Sequence, residues 1–436
     1  MTPIRVGLLG VGTVGGGTFD VLRRNREEIT RRAGRDIRIT AIADKDLARA
    51  RLLAGEDVVL TEDAFAVTRD PDIDIVAELI GGTGIARDLI LAAIDNGKHV
   101  VTANKALIAE HGNEIFAAAR KHGVMVAFEG AVAGGVPIIK SLREGLTANR
   151  IEWIAGIING TSNFILSEMR DKGLDFDTVL AEAQRRGYAE ADPTFDIEGV
   201  DAAHKLTIMA AISFGIPMRF GQAYTEGISQ LTQEDIRYAE ELGYRIKLLG
   251  ITKCRPAGIE LRVHPTLIPT RRLIANVEGV MNAIVVKGDA VGQTLYYGAG
   301  AGAEPTASAV VADLVDIARM LAADPEHRVP HFGFQPDALS DTPILPMAEV
   351  ETSYYLRMRV ADRPGVLADI TRILAVRSIS IEAMVQKEPD VGEDQADIIM
   401  LTHRALEKHV NAAIEEIENL PVMYGKVTRI RVEELL

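Results

Sequence analysis

The chain has 436 residues, 47% apolar and 25% charged, with a net charge of −14. That length exceeds one hydrophobic core and calls for two or three domains, and the acid excess excludes a general binder of nucleic-acid backbone. No apolar run reaches the roughly 20 residues of a membrane span, the start lacks a signal-peptide pattern, and the single cysteine, Cys254, excludes an internal disulfide and a cysteine zinc cluster. The expectation is a cytoplasmic, multidomain α/β protein with no nucleic-acid or membrane partner.

Ile4 to Leu9 ("IRVGLL") is a short apolar run suited to a buried parallel strand. Gly10, Gly12 and Gly15 follow as G-x-G-x-x-G, with Thr13 and Val14 inside the turn. A helical pattern with Phe19, Val21, Leu22 and Ile29 comes next. In that setting Gly10 permits the tight turn, Gly12 lets a pyrophosphate approach the backbone, and Gly15 lets the helix pack on the strand. The helix amino terminus offers free N–H groups to phosphates. Glycines that serve packing alone are the alternative, but the chain keeps alternating. "IRITAIAD", "IDIVAELIG", "HVVTAN" and "VMVAFEG" read as further strands, with helical patterns between them. This predicts a doubly wound parallel sheet that binds a dinucleotide. Asp44 ends the second strand, where a carboxylate accepts from a ribose 2′-OH, while Lys45 beside it suits a 2′-phosphate. NAD and NADP both stay open.

Asn104 and Lys105 stand just past a strand end, in the crevice where open sheets hold ligands; a solvated surface lysine is the plain alternative. The small residues from Glu129 to Val136 leave backbone carbonyls free to wrap a monovalent cation, or serve as an interdomain hinge. "IEWIAGIING" is a strand that breaks at Asn159-Gly160, and Thr161 or Ser162 caps the next helix or touches a substrate carboxylate. "TVLAEAQRRG" is an amphipathic helix ending at Gly187. "YAEADPTFD" is a loop, because Asp192-Pro193 resists helix. "IEGVDAAHKLTIMAAISFG" is a helix with Leu206, Met209, Ala210 and Phe214 on its apolar face. Glu190, Asp192, Asp196, Glu198 and Asp201 thus crowd the approach to Lys205. Asp201 and Lys205 are i, i+4 and share a face. Exposed, they make a minor surface ion pair. Half-buried, the acids bind a cationic group and the ammonium polarises a carbonyl or passes a proton.

A Gly-rich stretch, "YGAGAGAEPTASAVVADL", runs into a helix from about Pro305. Residues 326–349, rich in Pro and His, read as a linker. The tail alternates like a strand, turns at Asp362-Arg363-Pro364-Gly365, and continues as helix, strand, strand, helix, strand.

"AQRRGYAEADPTFDIEGVDAAHK" resembles the signature of homoserine dehydrogenases, and so do "GLLGVGTVG", "TANKALIA", "GIINGTSNFIL" and "YGAGAGAEPTASAVVADL". The tail, with its "DRPGVLA" turn, resembles an ACT regulatory domain. The resemblance spans nearly the whole chain. It implies a Rossmann-type sheet in 1–131 with 300–325, an α+β substrate and dimerisation domain in 132–300, and a βαββαβ, ferredoxin-like ACT domain in 350–436. It implies reduction of L-aspartate 4-semialdehyde to L-homoserine with NAD(P)H, on the route to threonine and methionine. Lys205 then acts in proton transfer to the carbonyl oxygen, and Lys105, by the nicotinamide, shares that role. Glu190 and Asp201 hold the substrate ammonium, with Asp196 behind them, and Thr161 lies in the substrate-side turn. Gly187 borders cofactor and substrate, and Gly302 borders the cofactor. The carbonyls of Glu129, Val132, Gly134 and Val136 match a sodium-type site, for Na+ or K+. Gly365 lets backbone N–H groups face a ligand carboxylate, which makes Asp362, Gly365, Val366 and Leu367 the effector turn, with L-threonine the expected effector. A purely dimerising tail is the alternative. ACT pairing implies a homodimer or homotetramer. Another ACT-bearing dehydrogenase and a non-catalytic amino-acid sensor are the competing readings; the first would use a His–carboxylate pair, and the second has no need of the lysine–acid set.

Overall fold

The computed structural model describes residues 2–387 and 394–436. The chain divides into two compact units. The first takes the chain up to Gly160, then Asp201–Ala223 and Val280–Thr342; the second takes Thr161–Val200, Tyr224–Gly279 and Pro343–Leu436.

In the first unit, six parallel strands lie in the order Val59–Thr61, Ile37–Ala43, Ile4–Leu9, Ile75–Glu78, His99–Thr102, Val126–Ala127. The strand order reverses between Ile4–Leu9 and Ile75–Glu78, which is where such sheets open a crevice for a dinucleotide. The strands are apolar on both faces because helices cover both. Val6, Leu8, Ile42 and Val101 pack in one core with Val310 and Leu314 of helix Ala303–Met320. That helix approaches helix Thr13–Arg24 closely because Gly17 has no side chain; a Cβ there would lie 2.6 Å from the Ala303 carbonyl oxygen. Three antiparallel strands, Ile151–Ile157, Met281–Gly288 and Gly292–Ala299, also belong to this unit.

The structure amends several expected elements. The first helical pattern is two helices, Thr13–Arg24 and Arg26–Ala33, parted at Asn25. A short strand, Val59–Thr61, extends the sheet without a sequence signal. The strand expected across "VMVAFEG" stops at Ala127, and Glu129–Ala131 is a 3₁₀ turn. The helix expected from Pro305 starts at Ala303.

In the second unit, strands Tyr244–Arg255 and Gly258–Pro269 form a long hairpin. The C-terminal module sets four antiparallel strands in the order Met423–Val432, Glu351–Ala361, Gln395–Thr402, Ile381–Gln386. Helices Val366–Val376 and Glu407–Glu418 bury Ile370, Leu374, Val410 and Ile417 against Leu356, Met358 and Met400. This is the βαββαβ arrangement expected of the tail. Its last strand pairs in parallel with the hairpin at Thr266–Arg431 and Leu267–Val432. Beside that seam Arg262 is fully buried, donating to Glu260 at 2.8 Å and to Glu433 at 2.5 Å, while Lys253 donates to Glu433 at 2.6 Å. Burial pushes the Glu433 carboxyl up, but Lys253 and Arg262 outweigh it and hold it down at about 2.

Candidate active site

The glycine turn has the backbone geometry its sequence calls for. Gly10 has φ +91°, and a Cβ there would meet the Leu79 carbonyl oxygen at 2.9 Å. A Cβ on Gly15 would sit 2.0 Å from the Gly10 carbonyl oxygen, so no larger residue lets the helix start there. At Gly12 nothing lies within 4 Å of the Cβ position, which leaves the backbone open on the side a pyrophosphate needs. Thr13 and Val14 open the helix, at whose amino end no acidic residue competes for the N–H groups. The residues therefore fit a dinucleotide. Asp44 is placed as expected, but its carboxylate is engaged: one oxygen accepts from Val11 N at 2.6 Å and the other from Asp46 N at 2.8 Å. It ties the second strand to the glycine turn, and Lys45 beside it is exposed.

The lysine–acid cluster forms in the first unit. Asn104 caps helix Lys105–His122 through Leu107 N and also donates to the Gly82 carbonyl, which fixes Lys105 on the first helical turn. Helix Val200–Phe214 carries Asp201 and Lys205 one turn apart. Sequence predicted one apolar face on it; instead Asp201 through Ser213 are all buried, so a pair that would be worth little on a surface is out of water. Lys205 Nζ donates to Asp201 at 2.7 Å and to the Ile158 carbonyl at 2.8 Å. Lys105 Nζ lies 3.2 Å from the other oxygen of Asp201, and Asn159 Nδ2 donates to Asp201 at 2.9 Å. Burial pushes the Asp201 carboxyl up, but the ammonium groups of Lys205 and Lys105, with the hydrogen bonds from Lys205 and Asn159, hold it down at about 2. The result is one carboxylate between two ammonium groups, with the Lys105 side chain still 35% exposed.

Neighbouring His204 was not singled out from sequence. It stacks on Phe220 with centroids 4.0 Å apart and lies 3.2 Å from Glu110. Burial lowers its basicity against the pull of Glu110. Asn159 and the Ile158 carbonyl were also missed as partners of the cluster. The strand break at Asn159-Gly160 was the only sign, and it identified a turn rather than a donor.

Glu190, Thr161, Gly187 and Asp196 fall in the second unit. The expected capping role of Thr161 and Ser162 does not hold. Helix Gly160–Lys172 begins before them, and their hydroxyls donate to the carbonyls of Tyr188 and Asp196. They fasten the acidic segment instead of closing a helix end. That segment is not all loop: Asp192 accepts from Thr194 N at 3.1 Å, and a short helix, Thr194–Ile197, follows Pro193. Gly187 takes φ +73°, and Glu190 is exposed.

In the first unit, the loop from Glu129 to Val136 turns through Ala133 and Gly134, both with positive φ (55° and 47°). Gly135 N donates to the Ala299 carbonyl at 3.0 Å. The Glu129 and Val136 carbonyls each accept one backbone N–H, from Val132 and Ile138. The Glu129 side chain accepts from Ile139 N and Lys140 N, and burial raises it to about 7. Gly302, with φ +120°, precedes helix Ala303–Met320. In the second unit, Gly365 takes φ +98° before helix Val366–Val376, and Asp362 accepts from Gln386 at 3.3 Å.

Comparison with known proteins supplies the rest. The family model described as the NAD-binding domain of homoserine dehydrogenase matches residues 10–129, that of homoserine dehydrogenase matches 137–315, and that of the ACT domain matches 354–422. Homoserine dehydrogenase of Pseudomonas aeruginosa is 62% identical over 435 residues, covering both chains in full. The crystal structure of a homoserine dehydrogenase from Thiobacillus denitrificans is 72% identical with a TM-score of 0.96, over 100% of this chain and 99% of that one. The enzyme of Staphylococcus aureus is 34% identical with a TM-score of 0.77, over 99% of each chain. A dinucleotide turn and a C-terminal ACT module agree with these likenesses, and the chain belongs to the homoserine dehydrogenase family of oxidoreductases.

Proposed function

We propose that the chain interconverts L-aspartate 4-semialdehyde and L-homoserine with NADH or NADPH, on the route to threonine and methionine, and that the Lys105–Asp201–Lys205 centre carries the chemistry. Nicotinamide, when bound, supplies or takes up the hydride. Lys205 has three N–H donors, and two are used by Asp201 and Ile158. The third is the one to meet the aldehyde oxygen as negative charge grows on it. Proton transfer from Lys205 then completes the alcohol. Asp201 keeps Lys105 and Lys205 positioned, and Lys105, on the more exposed side, shares the proton transfer. Because Asp201 already serves both lysines, exposed Glu190 is the better carboxylate for the substrate ammonium. Thr161, Gly187 and Asp196 are read as substrate-side residues from their place in the motif.

The turn at Gly10, Gly12, Thr13, Val14 and Gly15 would hold the pyrophosphate, with Asp44 and Lys45 near the adenosine ribose and Gly302 at the cofactor's edge. An archaeal homoserine dehydrogenase described in complex with NADPH is 25% identical with a TM-score of 0.63, over 72% of this chain and 98% of that one. It supports NADPH as one of the two cofactors. The carbonyls of Glu129, Val132, Gly134 and Val136 suit a monovalent cation, sodium or potassium, as neutral oxygen donors in a tight turn. L-Threonine is the proposed regulator, at the turn of Asp362, Gly365, Val366 and Leu367, in a cytoplasmic homodimer or homotetramer. The domain limits 1–131 with 300–325, 132–300, 326–349 and 350–436 belong to the same reading.

Oxidation of NADPH and NADH with aspartate semialdehyde, with and without L-threonine, is the test. Turnover suppressed by threonine is the expected result. Turnover that threonine leaves unchanged would make the tail a dimerising module. No turnover with either cofactor would overturn the assignment of substrate.

A further inference from the structure

Residues 326–349, expected to be a linker, begin by packing back on the first unit. Arg328 donates to the carbonyls of Gly123 at 2.8 Å and Ala323 at 3.1 Å, and His331 Nε2 accepts from Val126 N at 3.2 Å. The His331 ring stacks on Phe116 with centroids 4.7 Å apart. Between this segment, strand Val126–Ala127, the turn at residues 140–144 and the C-terminal end of helix Ala303–Met320 lies a cavity of about 150 Å3. Every wall belongs to the first unit.

The charges in its walls do not balance. Lys140, Arg143, Arg319 and Arg328 face Glu144 and Asp316, which leaves two positive charges over. Asp316 is taken by Lys140 and by Arg319 at 3.4 Å, and Glu144 by Arg143 at 3.2 Å. Arg328 makes no ion pair among the described residues, since both its partners are neutral carbonyls. Glu129 and Asp313 stand near Arg143 without lining the cavity. Burial pushes both carboxyls up, Glu129 to about 7, so they offset Arg143 only in part. The helix C-terminus adds about half a negative charge, less than the excess.

Donors are left over as well. Arg143 gives Nη2 to Glu144, while its Nη1 makes no hydrogen bond among the described residues. His331 accepts through Nε2, so Nδ1 carries the proton, and that N–H has no acceptor among the described residues. Burial and the Arg143 charge push His331 down to about 3, which keeps the ring neutral. The Nε atoms of Arg143 and Arg328 are sealed, but Arg143 Nη1 and His331 Nδ1 keep surface that a ligand can touch. A cavity of roughly this volume admits benzene, and phosphate is smaller. The donors come from separate segments, which suits the spread oxygens of a tetrahedral anion better than the flat pair of a carboxylate, and guanidinium groups match phosphate geometry.

We propose that this cavity binds a free inorganic oxyanion, phosphate or sulfate, through Arg143 Nη1, His331 Nδ1 and the unspent N–H groups of the Arg328 terminal nitrogens. The site borders the edge strand of the parallel sheet, three strands from the glycine turn. The anion ties residues 328–331 to the turn whose Ile139 N and Lys140 N hold the Glu129 carboxylate, and so stiffens the loop that follows Glu129.

The test titrates the full-length enzyme with phosphate at constant ionic strength, with and without NADPH, by calorimetry and by melting temperature. The wild type is expected to bind about one phosphate per chain, to melt higher as it saturates, and to bind equally with NADPH present. Sulfate competes; glycerol phosphate, too large for the cavity, does not. Arg143→Gln and Arg328→Gln each weaken binding at least about tenfold, and Arg143→Lys, which keeps the charge, recovers part of it. His331→Phe keeps the stack on Phe116 and drops the donor, and gives the same readout should an arginine variant fold poorly. Phosphate as a stabilising salt raises every melting temperature alike, so the difference between wild type and variants is the measure. A wild type without saturable binding overturns the inference, as do variants that bind like the wild type, or glycerol phosphate that binds as tightly as phosphate. Phosphate that NADPH displaces and Arg143→Gln leaves unchanged sits in the glycine turn, and overturns it too.

Discussion

Two of the buried ion clusters among the described residues are built from the same kinds of group to different ends. Around Asp201 the cations are lysines, and the Lys105 side chain keeps 35% of its surface exposed. Around Arg262 the centre is closed, and only Arg255 at its edge keeps 37% of its surface exposed. Arg262, Glu260 and Glu433 are 1%, 3% and 7% exposed, and the remaining valences are met by Lys253, Arg255 and His264. A planar guanidinium fills a fixed fork of acceptors and cannot give up its proton, whereas an ammonium has a rotatable third donor and can. The Arg262 cluster therefore locks a sheet seam, and the Asp201 cluster keeps a donor in reserve. Burial alone distinguishes neither; what differs is the cation at the centre, a fixed guanidinium in one and ammonium groups in the other.

Breaking the closed cluster has the largest expected effect. Glu433→Gln removes a partner from a fully buried Arg262, at a cost of about 3–5 kcal/mol. Chemical denaturation at neutral pH reads it, with kcat of the folded enzyme unchanged. The sign with pH follows from Glu433 being held at about 2 in the fold. Its contribution is present above the ordinary carboxylate value and disappears as pH falls from about 4 toward 2, so wild type and variant converge in acid. Asp201→Asn comes next, since it leaves two ammonium groups facing each other without their counter-charge. The alkaline limb of the kcat profile moves at least about one pH unit lower; an unmoved limb would separate Asp201 from the lysines' chemistry. The smallest effect is at Gly17. Gly17→Ala forces a methyl against the Ala303 carbonyl at a cost of about 1–3 kcal/mol, partly offset by about 1 kcal/mol of helix propensity. A lower melting temperature with a weakened dinucleotide KM is expected.

The open cluster was the more legible of the two, for a physical reason. Asp201 and Lys205 are one helical turn apart, so local spacing alone brings them together. Arg262 and Glu433 are 171 residues apart and meet only because the last strand joins the hairpin. The glycine turn was readable for the same local reason: each glycine answers to a backbone a few residues away. The hairpin Tyr244–Pro269 has a turn signal in Pro256-Ala257-Gly258, but its second strand is buried along its whole length and the middle of its first strand is too, so neither shows the alternation that marks a strand. Asn159 acts through a bond to Asp201, 42 residues on, and its own neighbourhood says only that a strand ends. Thr161 and Ser162 looked like caps because caps are local; their hydroxyls in fact reach carbonyls 27 and 34 residues away.

The most direct test of the account is kcat for Lys205→Ala with aspartate semialdehyde, measured on protein whose melting temperature has been compared with the wild type. A loss of at least about 100-fold with the fold retained is predicted, the usual worth of a positioned proton donor. Turnover near the wild-type level would mean that the Asp201 cluster, like the Arg262 cluster, only holds the fold together.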